Sequence, residues 1–307
     1  MSAAYDTLPT EERVGLRHSW GLLDPNLGTL SRIDPSVVAA AAALVSLGET
    51  ITLNLTLDEI SPPLFGRAQW QHSVHSLDRN YFEDVLTSYN PQCSSQWDGF
   101  RHVRAREAGF YGGIQDFDNA GDALGIEHLA RRGIAGRGVL LDVPGWHERQ
   151  GIDYDALAGD VIDASVLKAV ADDEGVELRT GDILCVRTGF VSAYRALSVE
   201  ERASEDVWRR FTGLRADEEM ARFLWDSGVA VLTADNPAVE SAPGNPADGS
   251  LHRRLLPMLG FVMGELLDFD SLATRCGELH RYEFLFVAVP LGVPGGLSSP
   301  ANAMALL

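Results

Sequence analysis

GVLLDV at residues 138–143, DASVLKAVADDEG at 163–175 and DILCVRTG at 182–189 are read together. They form an apolar run, an amphipathic stretch of helical spacing and a second apolar run. Short apolar runs bounded by turn residues read as strands buried on both faces. Gly175 stands where a helix C-cap belongs, and Thr180-Gly181-Asp182 turns the chain into the second strand. The alternation continues downstream. Helical spacing over 216–227 stops at Gly228 and leads into an apolar strand at 229–233. A helix over 249–258 precedes the apolar residues 261–263, and 282–289 reads as a last strand before a Gly/Pro-rich tail. Strands alternating with helices predict an α/β fold, a mixed or parallel sheet with covering helices.

Upstream the signals are less regular. Asp34-Pro35 reads as N-cap and first residue of a helix through Leu44, with Gly48 ending the segment. TITLNLTL at 50–57 alternates with period two and predicts a strand, whereas 62–95 reads mostly as loop. Helical spacing returns over 120–132 and ends at Gly133. Residues 1–30 read as an N-terminal arm and 31–307 as one domain. The arm's stretch 9–24 opens with Pro9, Glu11 and Glu12, a first helical turn, and carries apolar Leu16, Trp20 and Leu22. These lack apolar partners nearby in sequence. The arm is therefore expected to pack across a subunit boundary in a homodimer or homotetramer.

The chain has 307 residues, 45% hydrophobic and 22% charged, enough for a large core and incompatible with wholesale disorder. Its 25 basic residues, of which only Lys168 is lysine, face 44 acidic ones, a formal net charge of −19. Such a surface repels phosphate backbones and anionic lipid, so neither nucleic acid nor membrane is expected as a partner. The apolar run 37–45 is half of a membrane span, and no basic segment precedes an apolar stretch at the N-terminus. A cytoplasmic protein with a small-molecule substrate is expected. Cys93, Cys185 and Cys276 are too sparse for a disulfide framework or zinc ribbon.

Three clusters could carry chemistry. In SSQWDGFRH (94–102), Asp98 and His102 are four residues apart, and one helical turn would put them on the same face. A carboxylate and an imidazole can share a metal, form a base with its orienting partner, or make a structural hydrogen bond. Phe110, Tyr111 and the glycines at 112 and 113 follow, as in a loop folded over a ligand. DNPAVE (235–240) follows an apolar strand, where α/β sheets hold ligands, although a turn with a helix cap explains the pattern equally. His252 precedes Glu265 by thirteen residues, and Glu265 follows apolar Phe261-Val262-Met263 and Gly264. A carboxylate in that setting requires a metal, an arginine or a proton. His72 and His75 have metal-like spacing but stand in a polar stretch without a second ligand pair. GxGxxG, Walker, HExxH and GxSxG motifs are absent.

In this order the clusters resemble the putative cyclase family, which includes bacterial kynurenine formamidases and isatin hydrolases. The matching segments are SSQWDGFRH, RGIAGRGVLLDVP (132–144), TGDILCVRTGF (180–190), ADNPAVESAP (234–243), LHRRLLPMLGFVMGE (251–265) and YEFLFVAVPLGVPGG (282–296), about two thirds of the chain. The chain resembles most the longer branch with a Gln-Trp-Asp-Gly sequence. The resemblance implies a swivelling β/β/α fold and a homo-oligomer. The formamidase signature is His-x-Gly-Thr-His-x-Asp-x-Pro-x-His, with two histidines and the aspartate on metal and the last histidine as acid/base. Asp98 matches the ligand aspartate and His102 the catalytic histidine. Gln92 and Gln96 stand in the ligand-histidine positions, Ser94 and Ser95 in the Gly-Thr positions, and Phe100 in place of the proline. His252 and Glu265 match the downstream ligand pair.

Amide oxygens bind zinc far less well than imidazole, so a two-metal site is not expected. Two arrangements are left by the resemblance. One is a single manganese or zinc on Asp98, His252, Glu265 and Gln96. The other is a metal-free site working by His102 and the carboxylates alone. The implied activity is hydrolysis of a formamide, cyclic amide or lactone, with His102 protonating the leaving group. The alternatives are a cyclase or dehydratase of secondary metabolism, or a silent binding protein of the same fold. Trp97, Phe110, Tyr111 and Trp146 are expected to line the pocket, Arg101 to meet a substrate carboxylate, and Gly295, Gly296 and Ser298 to border the site.

Overall fold

The structure is a computed structural model that describes residues 3–117 and 123–307. One sheet of nine strands organises it: β1 (Thr50–Thr52), β2 (Gln96–Asp98), β3 (Ile134–Asp142), β4 (Ile183–Arg187), β5 (Val231–Ala234), β6 (Val262–Glu265), β7 (Glu283–Ala288), β8 (Ser298–Pro300) and β9 (Ala303–Leu306). Their order is β8-β2-β6-β5-β4-β3-β7-β9-β1. The central four, β3 to β6, run parallel, and every other pairing is antiparallel. These four are apolar runs that alternate with helices from residue 138 onward, buried along almost their whole length. Only a crossover connection can join parallel neighbours, which is why helices lie between them.

The segments read as irregular close the sheet. β8 and β9 are one stretch of chain, pairing with β2 at one end and with β7 and β1 at the other. Trp97 on β2 accordingly meets Phe286 on β7 edge-on, 6.1 Å between ring centres. The Gly/Pro-rich tail thus ends in two strands that a sequence of small residues does not announce.

The helices that cover the sheet and shape the site are α1 (Pro35–Ala42), α2 (Glu127–Arg132), α3 (Val143–Gln150), α4 (Ala164–Asp173), α5 (Phe190–Ala196), α6 (Glu218–Asp226), α7 (Leu251–Arg253) and α8 (Asp270–Leu279). The Asp34 carboxylate caps α1 by accepting from the amides of Ser36 and Val37. The helix expected over 120–132 begins only at Glu127, and its positions 120–122 lie outside the described residues. α7 continues as a π-helical turn, Arg254–Leu259, ending at Gly260, whose φ of +70° belongs to the left-handed region.

Two expectations are corrected. Residues 62–95 contain a hairpin, Gln71–Ser76 with Phe82–Thr87, standing off the core with every residue exposed. His72 there pairs with Asp84, which accounts for it without a metal. The arm's stretch 9–24 is not helical: Thr10–Glu11 pairs with Leu16–Arg17 as a two-stranded ladder. Much of the arm's apolar surface packs within the chain. Tyr5 and Leu8 are buried, Trp20 donates to the Pro257 carbonyl, and the Trp225 indole donates to the Ala3 carbonyl. These apolar side chains find partners in distant segments of the same chain, which sequence proximity does not reveal, whereas Leu22 is exposed. Among the described residues no helix is long and apolar enough to cross a membrane.

One buried carboxyl gives the fold a pH signature. Glu174, at the end of α4, accepts from the Asp142 amide and Arg149, while its Oε2 has no partner. Burial pushes its pKa up to about 8. The unfolded chain would ionise it near 4.5, so stability contributed by this group falls as pH rises from about 4.5 to 8. Glu174→Gln removes that loss. The variant should gain on the order of 3 kcal/mol relative to the parent between pH 5 and 9. Parallel pH profiles of the two melting temperatures would sink the assignment.

Candidate functional site

β2 and β6 build the site by two simple regularities. Successive strand side chains point to opposite faces, so Gln96 and Asp98 share one face and Trp97 takes the other. The register pairs Gln96 with Glu265 and Asp98 with Met263, which brings Glu265 beside Gln96. The Gln96 amide donates to Glu265 Oε2. His252 arrives from α7 and places Nε2 at 2.9 Å from Glu265 Oε1 and 3.7 Å from Asp98 Oδ2. One ligand atom from each of Asp98, His252 and Glu265 lies within 4.8 Å of the others. Asp98, Gln96 and Glu265 are buried.

Glu240 is the residue the sequence reading left out of this set. It ends the 235–240 loop after β5 and approaches His252 Nδ1 to 3.4 Å. Its carboxylate also accepts from the amides of Leu251 and His252 and from the Ser250 hydroxyl, fastening the start of α7. Its position after an apolar strand was the one available signal. Asp235, from the same loop, goes elsewhere. It accepts from the Thr188 amide and hydroxyl and the Gly189 amide, tying β5 to β4, and burial pushes it up to about 6.

The electrostatics follow from burying three carboxylates around one imidazole. Burial alone would neutralise His252, but its contacts with Asp98, Glu240 and Glu265 hold its pKa well above 6.5. Burial also opposes ionisation of Asp98, yet the charges of His102 and His252 keep its pKa below the usual value. Glu265 moves upward, through burial and the Asp98 charge. The group therefore holds more negative charge than one histidine offsets.

Two polar atoms in the cluster have no partner: Asp98 Oδ2 and Gln96 Oε1. Buried acceptors are almost always satisfied, so orphans at this spot mark a missing partner. Two carboxylates, an imidazole and an amide oxygen make a donor set for one divalent cation. The residues present fit such an ion.

His102 sits at the outer edge, its side chain 28% exposed and its Nε2 3.9 Å from Asp98 Oδ2. No helix joins them, contrary to the expectation from their spacing. Asp98 ends β2, and the chain turns back through a hydrogen bond from the His102 amide to the Gly99 carbonyl. Gln92 stands between, its amide 3.2 Å from His102 Nδ1 and 3.4 Å from Asp98 Oδ1. Arg67 donates to the Gln92 carbonyl, and its charge also lowers Asp98. No local pattern marked Arg67.

The expected pocket lining is mostly not brought here. Trp97 is fully buried on the opposite face and donates to the Ala301 carbonyl. Phe110, packed on the exposed Phe117, and Tyr111, packed on Phe100 and Gly260, are both buried in the core. Trp146 lies on α3, edge-on to His147. Arg101 is buried with its guanidinium given to the carbonyls of Gly295 and Phe117. Each has its surface or hydrogen bonds engaged by the fold itself. Gly295 and Gly296 do lie against the His102 turn, where the Gly99 amide donates to the Leu297 carbonyl, and Ser298 pairs with Asp98 across the strands.

A crystal structure described as a novel cyclase superposes with TM-score 0.82 at 28% identity, covering 94% of this chain and 99% of that one. Isatin hydrolase A from Labrenzia aggregata, bound to benzyl benzoate, matches with TM-score 0.60 at 13% identity, over 88% of this chain and 96% of its own. A predicted metal-dependent hydrolase from Bacillus stearothermophilus matches with TM-score 0.51 at 16% identity, over 84% and 97%. No curated protein matches the chain in sequence. The family model for the putative cyclases covers residues 50–241, well over half of the chain and including the Gln92–His102 segment and Glu240. With the fold and this match in agreement, the chain belongs to the putative cyclase family.

Proposed function

We propose that the protein is a hydrolase of a carbon–nitrogen or carbon–oxygen acyl bond, in a formamide, cyclic amide or lactone. The observation that carries this reading is the buried Asp98–His252–Glu265 cluster, with its orphaned Asp98 Oδ2 and Gln96 Oε1 and a reachable His102 alongside. Similarity of fold to isatin hydrolases supports it.

Asp98, His252, Glu265 and Gln96 would hold one manganese or zinc ion. Such an ion supplies a Lewis acid that polarises a carbonyl and acidifies water. The remaining work falls to the chain's own groups. Glu240 orients the His252 ring from its Nδ1 side, as carboxylates behind ligating histidines do. His102 is open to solvent and within reach of Asp98, so it can protonate a leaving nitrogen or oxygen and be recharged from bulk water. Gln92, poised between His102 and Asp98, sets the ring's orientation. Gly295 and Gly296 border the substrate's entrance.

The test combines elemental analysis of protein purified without chelator with turnover of a formamide, cyclic amide and lactone panel in heavy-oxygen water. About one metal ion per chain and label in the product are the expected results. An unlabelled isomeric or dehydrated product would replace hydrolysis by a cyclase or dehydratase reaction. Metal-free protein without turnover would leave a binding protein.

A further inference from the structure

We propose a second ligand site, separate from the Asp98 cluster, that binds a small organic phosphate through Arg106, Arg253 and Arg254. A cavity of about 340 Å³ lies between the N-terminal ladder, the 105–107 turn and the start of α7. Four arginines line it: these three and Arg13, with Glu107 the one acid.

The argument rests on what these guanidiniums lack. Acidic residues outnumber basic ones 44 to 25, and several arginines gather more than one carboxylate each. Arg137, Arg187, Arg215 and Arg275 each reach two or more, and Arg195 reaches three. Among the described residues, the side chains of Arg106 and Arg253 have neither an ion pair nor a hydrogen bond, and neither carries an unprinted contact. Arg254 donates only to the backbone carbonyls of Ala216 and Asp248. Arg13 pairs with Glu11 and donates to the Glu107 carbonyl. Arg253 and Arg254 are half-buried, so their charges are partly removed from water without a counter-ion. Arg106 is held at φ +49°, a backbone state that non-glycine residues seldom take.

Three guanidiniums that meet no carboxylate, Arg254 held only by backbone carbonyls, line one cavity and exceed what a single carboxylate can use. They suit the three oxygens and two charges of a phosphate monoester. Val14, Leu16 and Ala105 supply an apolar wall for an organic body, and the volume is at the small end for ligand sites. The cavity adjoins the candidate centre: Ser250 lines it and donates to Glu240. The phosphate site is nevertheless built from residues outside the centre's own set.

Titration calorimetry of the full chain with inorganic phosphate tests the assignment, with citrate and sodium chloride at matched ionic strength as parallel arms. Saturable phosphate binding is expected, weakened at least tenfold by Arg106→Gln with Arg253→Gln, and measurably by exposed Arg106→Gln alone. Unchanged melting without phosphate confirms that the variants fold. Binding that survives both variants, or heat no larger than that of chloride, overturns the proposal. Citrate binding tighter than phosphate at the same arginines overturns the phosphate assignment in favour of a polycarboxylate.

Discussion

Asp98→Asn should abolish turnover, by at least about a thousandfold, together with metal content, while leaving the fold intact. Asparagine keeps the shape of the buried side chain and can still meet the Gln92 amide through its oxygen. What it removes is one negative charge from a cluster that places Asp98 Oδ2 3.7 Å from His252 and 3.9 Å from His102. The orphaned Oδ2 is the acceptor that a cation would satisfy, and an amide nitrogen there would point a donor at it. His102→Gln should lower turnover by roughly a hundred- to ten-thousandfold, the range for loss of an acid/base, and spare the metal. The pair of variants separates holding from proton transfer. Turnover and metal stoichiometry both unchanged in Asp98→Asn would end the site assignment.

Trp97→Ala should destabilise the protein by about 3–5 kcal/mol, as the largest core truncations do. The indole is fully buried, bonded to the Ala301 carbonyl, edge-on to Phe286 and laid against Gly264 on the neighbouring strand. A Cβ at Gly264 would stand 2.8 Å from the ring, so the glycine exists to admit it. The ring joins β2 to the strands that close the sheet. Losing it leaves a cavity where β2, β6 and β8 meet, beneath Asp98. Denaturant unfolding measures the effect, and a loss below about 1 kcal/mol would show that the closure does not depend on this ring. Phe100 and Tyr111 variants should behave as core losses too, since neither ring reaches the cluster.

Local pattern carried a good part of the fold. The apolar runs that became β3, β4, β5 and β7, the capped helix α1 and the amphipathic helices α4 and α6 are all short-range features. Each declares itself within a dozen residues, because burial on both faces or on one stripe imposes a period on the sequence. The types of the candidate ligands were legible for a related reason: a carboxylate beside Phe261-Val262-Met263 is conspicuous where water is excluded. Tertiary structure decided the rest. β8 and β9 are strands because β2, β7 and β1 offer them hydrogen bonds, not because their residues favour extension. The arm's apolar residues were buried by segments more than 200 residues away, such as Pro257 and Trp225. The chemistry of Trp97 suits a pocket wall, but the two-residue period of β2 turns it into the core. Asp98 and His102 meet through a strand end and a turn rather than a helix. Glu240 joined His252 only when β5 and α7 were brought together. Sequence spacing sets which side chains are available, but the strand register and the crossing of elements set which face one another.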